Sequence, residues 1–305
     1  MVKFSKEDIK SILATKNKFH KLAWQPTKWC NYRCEYCIQG QNNYKNKLAP
    51  FEELSKHADR INSAIEKLDK DCALFLIGGE VTYIDLVRIF KEHLNSKRIK
   101  QIHITTNLSR CEKWWDEFST YCKENDIELI ISASLHITQV KKIDEFINKA
   151  KKFASTVSVV INDNNYELVK NALEKLVASG YNNKIVVNID RHNTEVNSKS
   201  EKIQKLVEKY SYISPNKQLL VTLKSGETIE MSKAELQEAL NGNMDLSGFK
   251  CTTWARYRDG IIRRGGCGWK LKLSGKDDMD YDTSICQCKN CSFCTVINVE
   301  NPDNE

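Results

Sequence analysis

Three thiols on one short stretch carry the first chemical signal in this chain. Cys30, Cys34 and Cys37 stand in Trp29-Cys30-Asn31-Tyr32-Arg33-Cys34-Glu35-Tyr36-Cys37, a C-x3-C-x2-C spacing. Thiolates ligate iron–sulfur clusters and zinc. Three of them hold three irons of a four-iron cubane and leave the fourth iron open to a small molecule. A structural zinc site is normally closed by four protein ligands, and no His or further Cys lies within this stretch to close it. A zinc loop and three unrelated thiols remain the alternatives.

A second group lies near the C-terminus as Cys251-x15-Cys267 followed by Cys286-x-Cys288-x2-Cys291-x2-Cys294. Tyr257-Arg258-Asp259-Gly260-Ile261-Ile262 between the first two reads as strand, Asp-Gly turn and strand, which returns Cys267 toward Cys251. From Phe249 onward there is little periodicity, and Gly260, Gly265, Gly266 and Gly268 interrupt the chain. Such a segment takes its order from a bound metal centre. A zinc ribbon built from the same thiols is the alternative. Cys72, at the start of an apolar run, and Cys122, in a helical pattern, read as small core residues. Cys111 follows a strand end, where a thiol could donate a hydrogen atom.

These groups need a scaffold, and the stretch from Leu22 to Asp190 supplies one by alternating short apolar runs with amphipathic segments. Six strands are expected, over Lys21 to Pro26, Ala73 to Ile77, Gln101 to Thr105, Glu128 to Ser134, Thr156 to Ile161 and Lys184 to Ile189. Helical periodicity fills the gaps, with Leu54, Ile61, Ile65 and Leu68 on one face of the first helix and Leu168, Ala172, Leu176 and Val177 on the fifth. Gly180 stands where a C-terminal cap is expected. The fold class is α/β, a partial (β/α)6 TIM-like barrel with a small cysteine-rich C-terminal extension. Chemistry then belongs at the C-terminal ends of the strands, which is where the first cysteine loop falls. Beyond the barrel, a helix over Lys199 to Tyr210 and a Pro215 turn lead to a hairpin. Its strands, Leu219 to Leu223 and Glu227 to Met231, flank Lys224-Ser225-Gly226, and Ser232 with Glu235 forms a capping box. The expected segments are 1–20 as an N-terminal stretch, 21–193 as the barrel, 194–248 as a helix and hairpin linker and 249–305 as the cysteine-rich domain.

At the first cysteine loop the chain resembles the radical S-adenosylmethionine (SAM) enzymes, whose hallmark loop has this spacing and an aromatic residue before the third cysteine, here Tyr36. The resemblance implies that the open iron is chelated by the amino and carboxylate groups of S-adenosylmethionine. Gly78-Gly79-Glu80 ends the second strand, where two glycines let backbone approach a ligand and Glu80 supplies an acceptor. In the family this triplet binds the cofactor ammonium. Thr105-Thr106-Asn107 resembles the family's Thr-Asn turn at the third strand end, and Ser132 and Ser134 end the fourth, where ribose hydroxyls are contacted. Asn162 and Asn188 hold the corresponding places on the fifth and sixth strands. His136 follows the fourth and would titrate near neutral pH as a general acid or base.

The C-terminal group resembles the auxiliary-cluster extensions called SPASM and twitch domains, without the full seven-cysteine SPASM pattern. Six thiolates cannot fill two four-iron clusters with four each. The resemblance therefore implies one auxiliary [4Fe-4S] cluster, ligated by Cys251, Cys267 and two of Cys286, Cys288, Cys291 and Cys294, a choice that spacing does not make.

The implied function is reductive cleavage of S-adenosylmethionine to a 5′-deoxyadenosyl radical that abstracts a hydrogen atom from an organic substrate. The cofactor carries that chemistry and the protein supplies ligation, orientation and exclusion of solvent. The expected substrate is a peptide or protein side chain, to be oxidised, crosslinked or epimerised. Oxidation or epimerisation of a small metabolite such as a sugar is the alternative. From another class, a non-catalytic zinc or iron–sulfur binding module uses the same cysteines. A reducing donor such as flavodoxin or ferredoxin is the expected partner, and no room is seen ahead of Lys21 for a separate peptide-recognition domain.

Composition bounds these readings. With 305 residues, 41% of them hydrophobic, the chain can bury a sizeable core. Its 12 cysteines in a chain of this size do not suit the disulfide framework of small secreted domains. Against 47 Lys+Arg stand 40 Asp+Glu, and the resulting net charge of +7 is interspersed, which does not nominate nucleic acid. No apolar run is long enough to span a membrane, and Met1 to Lys18 lacks the apolar core of an export signal. A cytoplasmic location is expected.

Overall fold

The computed structural model describes residues 3–14, 19–37, 45–68, 71–190, 200–211, 219–242, 244–246, 249–251, 255–258, 261–264 and 299–300. Two compact units divide the chain, residues 24–62 with 73–213, and residues 1–23 with 63–72 and 214–305.

The central feature is a parallel sheet with flanking helices. Its strands follow chain order: β2 (His20–Trp24), β3 (Cys72–Leu76), β4 (Ile99–Thr106), β5 (Glu128–Leu135), β6 (Thr156–Ile161) and β7 (Lys184–Ile189). Register is continuous from Gln101↔Glu128 to Thr106↔Ala133, and from Thr156↔Lys184 to Ile161↔Ile189. The expected six-unit partial barrel is what forms, and the sheet needs no closure. Helices α1 (Phe51–Glu66), α2 (Leu86–Glu92), α3 (Glu112–Glu124), α4 (Ile143–Phe153) and α5 (Tyr166–Ala178) connect the strands.

Alternation along the strands separates two faces. Ile102, Ile104, Ile131, Ala133, Leu135, Val157, Val159 and Ile161 are buried on one face, and α3, α4 and α5 pack against β5 and β6. His103, Thr105, Ser132, Ser134, Ser158 and Asn188 alternate with these residues and are partly or fully exposed. One side of the sheet is thus an oily seat for helices, and the other mixes these polar groups with the partly exposed Phe75, Ile130, Val160 and Val186.

The helical stripes are mostly as expected. Leu54, Ile61, Ile65 and Leu68 are all buried. On α5 the face is displaced: Val169, Ala172, Leu173 and Leu176 are buried, while Leu168 and Val177 are 53% and 48% exposed. Leu168 and Val169 are both apolar, so composition alone does not choose which of them faces inward. Gly180 caps this helix at φ +81°, its N–H donating to Val177 O. Cys72 and Cys122 are core residues, 0% and 1% exposed.

The other unit is built on a five-stranded sheet that includes β1 (Ile9–Ala14), which pairs antiparallel with β8 (Leu219–Leu223), itself paired with β9 (Thr228–Met231). Gly226 turns this hairpin at φ +90°. Ser232 and Glu235 make the capping box of the next helix, Lys233–Ala239. Ile9, Ile12, Leu219, Val221, Leu236 and Phe249 share its core. β10 (Lys250–Cys251) and β13 (Val299–Glu300) complete that sheet. The hairpin expected around Asp259-Gly260 is present as β11 (Ala255–Arg258) and β12 (Ile261–Arg264), with Arg258 opposite Ile261. Cys267, Cys286, Cys288, Cys291 and Cys294 lie outside the described residues, as does Pro215. No described helix is long and apolar enough to cross a membrane.

Candidate functional site

After Trp24 the chain leaves the ladder and runs under the end of β3 before it reaches the first cysteine. The two segments are stitched by backbone hydrogen bonds: Ile77 N–H to Trp24 O at 3.0 Å, Gly79 N–H to Thr27 O at 2.9 Å and Glu80 N–H to Trp29 O at 2.7 Å. This packing explains the glycine pair. A Cβ on Gly78 would sit 2.3 Å from Thr27 O, and one on Gly79 only 1.9 Å from Trp29 O. Gly78 also holds φ +146°, where side chains are strained. The close approach expected between these glycines and a ligand is already made by the chain to itself.

The cysteine loop sits on this platform. Cys34 is 6% exposed, and Cys30 and Cys37 are partly buried. Burial pushes the Cys34 thiol up to about 12 and Cys30 up to about 11. At Cys30 the neighbouring Glu80 and Cys37 add to the rise, while donors from Tyr32 and Asn107 oppose it. No described group of three or more His, Cys, Asp or Glu is gathered to hold a single metal ion. A cubane makes a different demand, because each thiolate binds its own iron. The donor set fits that demand: three cysteines on one loop, electrostatically within reach of one another, with sulfur-directed N–H groups beside them.

Glu80 is 1% exposed and accepts four hydrogen bonds. Its Oε1 accepts from the Thr82 hydroxyl at 2.6 Å, the Thr106 hydroxyl at 2.8 Å and the Thr82 N–H at 3.2 Å. Its Oε2 accepts from the Asn107 N–H at 2.7 Å. Burial pushes the carboxyl above its ordinary value and these donors pull against it. The carboxylate therefore clamps the end of β4 to the end of β3, and Oε2 keeps a lone pair for the expected ammonium contact.

Asn107 is brought to the cysteines, its amide reaching Asn31 Oδ1 at 2.9 Å and Cys30 Sγ at 3.8 Å. Tyr36, 8% exposed, faces the loop after β5, where its hydroxyl lies 3.3 Å from His136 Nδ1 and the two rings stack at 5.8 Å. Tyr32 meets the same imidazole edge-on at 5.9 Å. Burial pushes His136 down to about 4, so it is a neutral spacer between two tyrosines near neutral pH. Arg33 N–H completes the seam by donating to Gln139 Oε1 at 3.2 Å. Ser132 and Ser134 lie on the helix-free face of β5, and Ser134 reaches the Ser158 hydroxyl at 3.5 Å. Asn162 is drawn to the end of β7, donating to buried Asp190 at 3.1 Å, and Asn188 is exposed. Cys111 is exposed at the start of α3.

Asn31, Tyr32, Thr82, Gln139 and Asp190 were not singled out from sequence. Nothing in their spacing marks them: Asn31, Tyr32, Gln139 and Asp190 act through partners distant in the chain, and Thr82 acts on Glu80 two residues away.

A family model described as the Radical SAM superfamily matches residues 24–207, which is more than half of the chain. The chain belongs to the radical SAM superfamily. The family implies a [4Fe-4S] cluster and S-adenosylmethionine, and Cys30, Cys34 and Cys37 are the residues here that fit the cluster. Among solved structures the radical SAM chain is similar to native anSMEcpe with bound AdoMet, at 15% identity and TM-score 0.42 over 56% of this chain and 51% of that one. It is also similar to native anSMEcpe with bound AdoMet and Cp18Cys peptide, at 16% identity and TM-score 0.39, covering 56% and 50%. The chain thus spans about half the length of the solved structures it matches. No curated protein matches it.

Proposed function

We propose that the protein is a radical SAM enzyme that cleaves S-adenosylmethionine reductively and uses the resulting 5′-deoxyadenosyl radical to take a hydrogen atom from an organic substrate. The observation that carries this reading is the Cys30/Cys34/Cys37 loop, held at the strand-end platform by Gly78, Gly79 and Glu80 inside the matched family segment. When bound, the cluster and S-adenosylmethionine supply single-electron cleavage of a carbon–sulfur bond. The chain's own residues fix the ligand loop against β3 and β4. They also place Tyr36 against His136, and they present the hydroxyls of Ser132 and Ser134 for the ribose.

Cys251, Cys267 and two of the four later cysteines would hold an auxiliary cluster; the twitch-like spacing supports this. Through that likeness the substrate is a peptide or protein side chain. The polar residues Thr105, Ser132, Ser134, Ser158 and Asn188 on the helix-free face favour a second reading, a hydroxyl-rich small metabolite. Flavodoxin or ferredoxin would deliver the electron, in the cytoplasm.

Anaerobic reconstitution tests the proposal. Wild-type protein should take up iron and sulfide and, with dithionite, form 5′-deoxyadenosine. The triple Cys30, Cys34 and Cys37 to Ala variant should lose one cluster and all cleavage yet keep its circular dichroism, because the core lies in the strands and helices. Zinc without sulfide in the wild type, or 5′-deoxyadenosine from the variant, sinks the reading.

A further inference from the structure

The side chain of Asn107 is held in one orientation by a backbone group that can act in one way only. Its Oδ1 accepts from the Ser109 N–H at 3.0 Å, a group that only donates, so the amide NH2 end must face the other way. On that side stand Asn31 Oδ1 at 2.9 Å and Cys30 Sγ at 3.8 Å, both within reach of the amide nitrogen. The backbone is equally fixed, with the Asn107 N–H on Glu80 Oε2 and the residue only 3% exposed. Cys30 Sγ also accepts from the Tyr32 N–H at 3.4 Å.

We propose that Asn107 is a positioning residue that donates a hydrogen bond to the Cys30 thiolate and so raises the reduction potential of the cluster held by Cys30, Cys34 and Cys37. The inference rests on reading that loop as the cluster site, and goes beyond it by giving the Asn107 amide a ligand sulfur as its partner in place of S-adenosylmethionine. A reduced cluster carries one more negative charge, spread partly onto its sulfurs. An N–H aimed at sulfur stabilises that form more than the oxidised one, and hydrogen bonds to sulfur are among the levers that set such potentials. Thiolate formation also removes the only proton Cys30 could give to Asn31, leaving Cys30 purely an acceptor and Asn107 its matched donor.

The test is an EPR-monitored redox titration of anaerobically reconstituted wild type, Asn107→Leu and Asn107→Asp. With iron content unchanged, Asn107→Leu should take up its electron about tenfold less readily at a given potential, a fall of about 59 mV for a one-electron couple. Asn107→Asp should fall further, because it adds a negative charge beside the sulfur. A second measurement needs no variant: pulsed EPR of reduced wild type labelled with 15N in its asparagine side chains should show a weak 15N coupling. A loaded Asn107→Leu protein with the wild-type midpoint overturns the assignment, and so does absence of the coupling. A wild type that takes up no cluster overturns the reading of the loop and this inference with it, and its iron content tells that failure apart.

Discussion

Replacing Gly79 by alanine separates two explanations of the glycine pair. Gly79 is not at positive φ, so the added methyl group costs nothing through backbone strain and acts only through contact. That contact is severe: the new carbon would lie 1.9 Å from Trp29 O, 2.5 Å from Trp29 C and 2.6 Å from Lys28 O, where ordinary contact begins near 3.4 Å. All three atoms are backbone and cannot rotate away. The strand end and the loop must part, at an overpacking cost of about 1–3 kcal/mol. The bonds from Gly79 N–H to Thr27 O and from Glu80 N–H to Trp29 O weaken with them, each worth about 1 kcal/mol net. Together these predict a loss of about 4 kcal/mol and a melting temperature lower by about 8 °C. Gly242→Ala is the control, since Gly242 sits at φ +81° with nothing within 4 Å; it should cost about 1–2 kcal/mol from backbone strain alone. Thermal melts followed by circular dichroism give both numbers, and iron uptake should fall in Gly79→Ala because the displaced atoms immediately precede Cys30. A Gly79→Ala protein that melts with the wild type but binds S-adenosylmethionine poorly would refute the argument and return the glycines to the ligand.

Glu80→Gln turns one carboxylate oxygen into an NH2 among four donors, so at least one is left without an acceptor. The expected loss is about 1–3 kcal/mol by urea denaturation, together with weaker S-adenosylmethionine binding; an unchanged urea midpoint would show that the clamp does not form. His136→Phe keeps a ring beside Tyr36 and removes its pH dependence. Burial holds the native imidazole neutral down to about 4, while the unfolded chain takes up a proton near 6.5, so this contribution is complete above pH 6.5 and is lost as pH falls toward 4. As pH falls from 6.5 toward 4 the wild type should lose melting temperature that the variant keeps, and parallel curves would refute a His136 held neutral in the fold. For the proposed auxiliary cluster, Cys251→Ala should lower iron content and stop product formation while uncoupled formation of 5′-deoxyadenosine continues; full turnover of the true substrate would end that reading.

Much of the barrel was legible because its strands are short, β-branched and bounded by helical periodicity. Thr156–Ile161 and Lys184–Ile189 emerge with the expected limits. The first strand ends at Trp24, short of the expected Pro26, because the following residues leave the ladder to pack under Gly78 and Gly79. β1 escaped notice for a local reason: a register irregularity between Ile9 and Ser11 puts buried Ile9 and Ile12 three apart, which scrambles the period-2 signal. At the site, the cysteines and the glycine pair declared themselves by spacing. The clamp of Glu80 on Thr106 and Asn107 did not, nor did the seating of His136 against Tyr36, because hydrogen bonds between residues 26 or 100 positions apart leave no local pattern.

The stitching of residues 24–29 under β3 bears on the order of assembly. A zinc finger waits for its metal to fold, since its ligands have little else to hold them. Here the approach to Cys30 is fixed by Ile77, Gly79 and Glu80, and the far side of the loop by Asn107 and His136. Those partners sit on β3, β4 and the end of β5, so the loop acquires its shape only after three strands have paired. An iron–sulfur cluster held by this loop would enter a mould cast by the sheet, as a late maturation step on a folded chain.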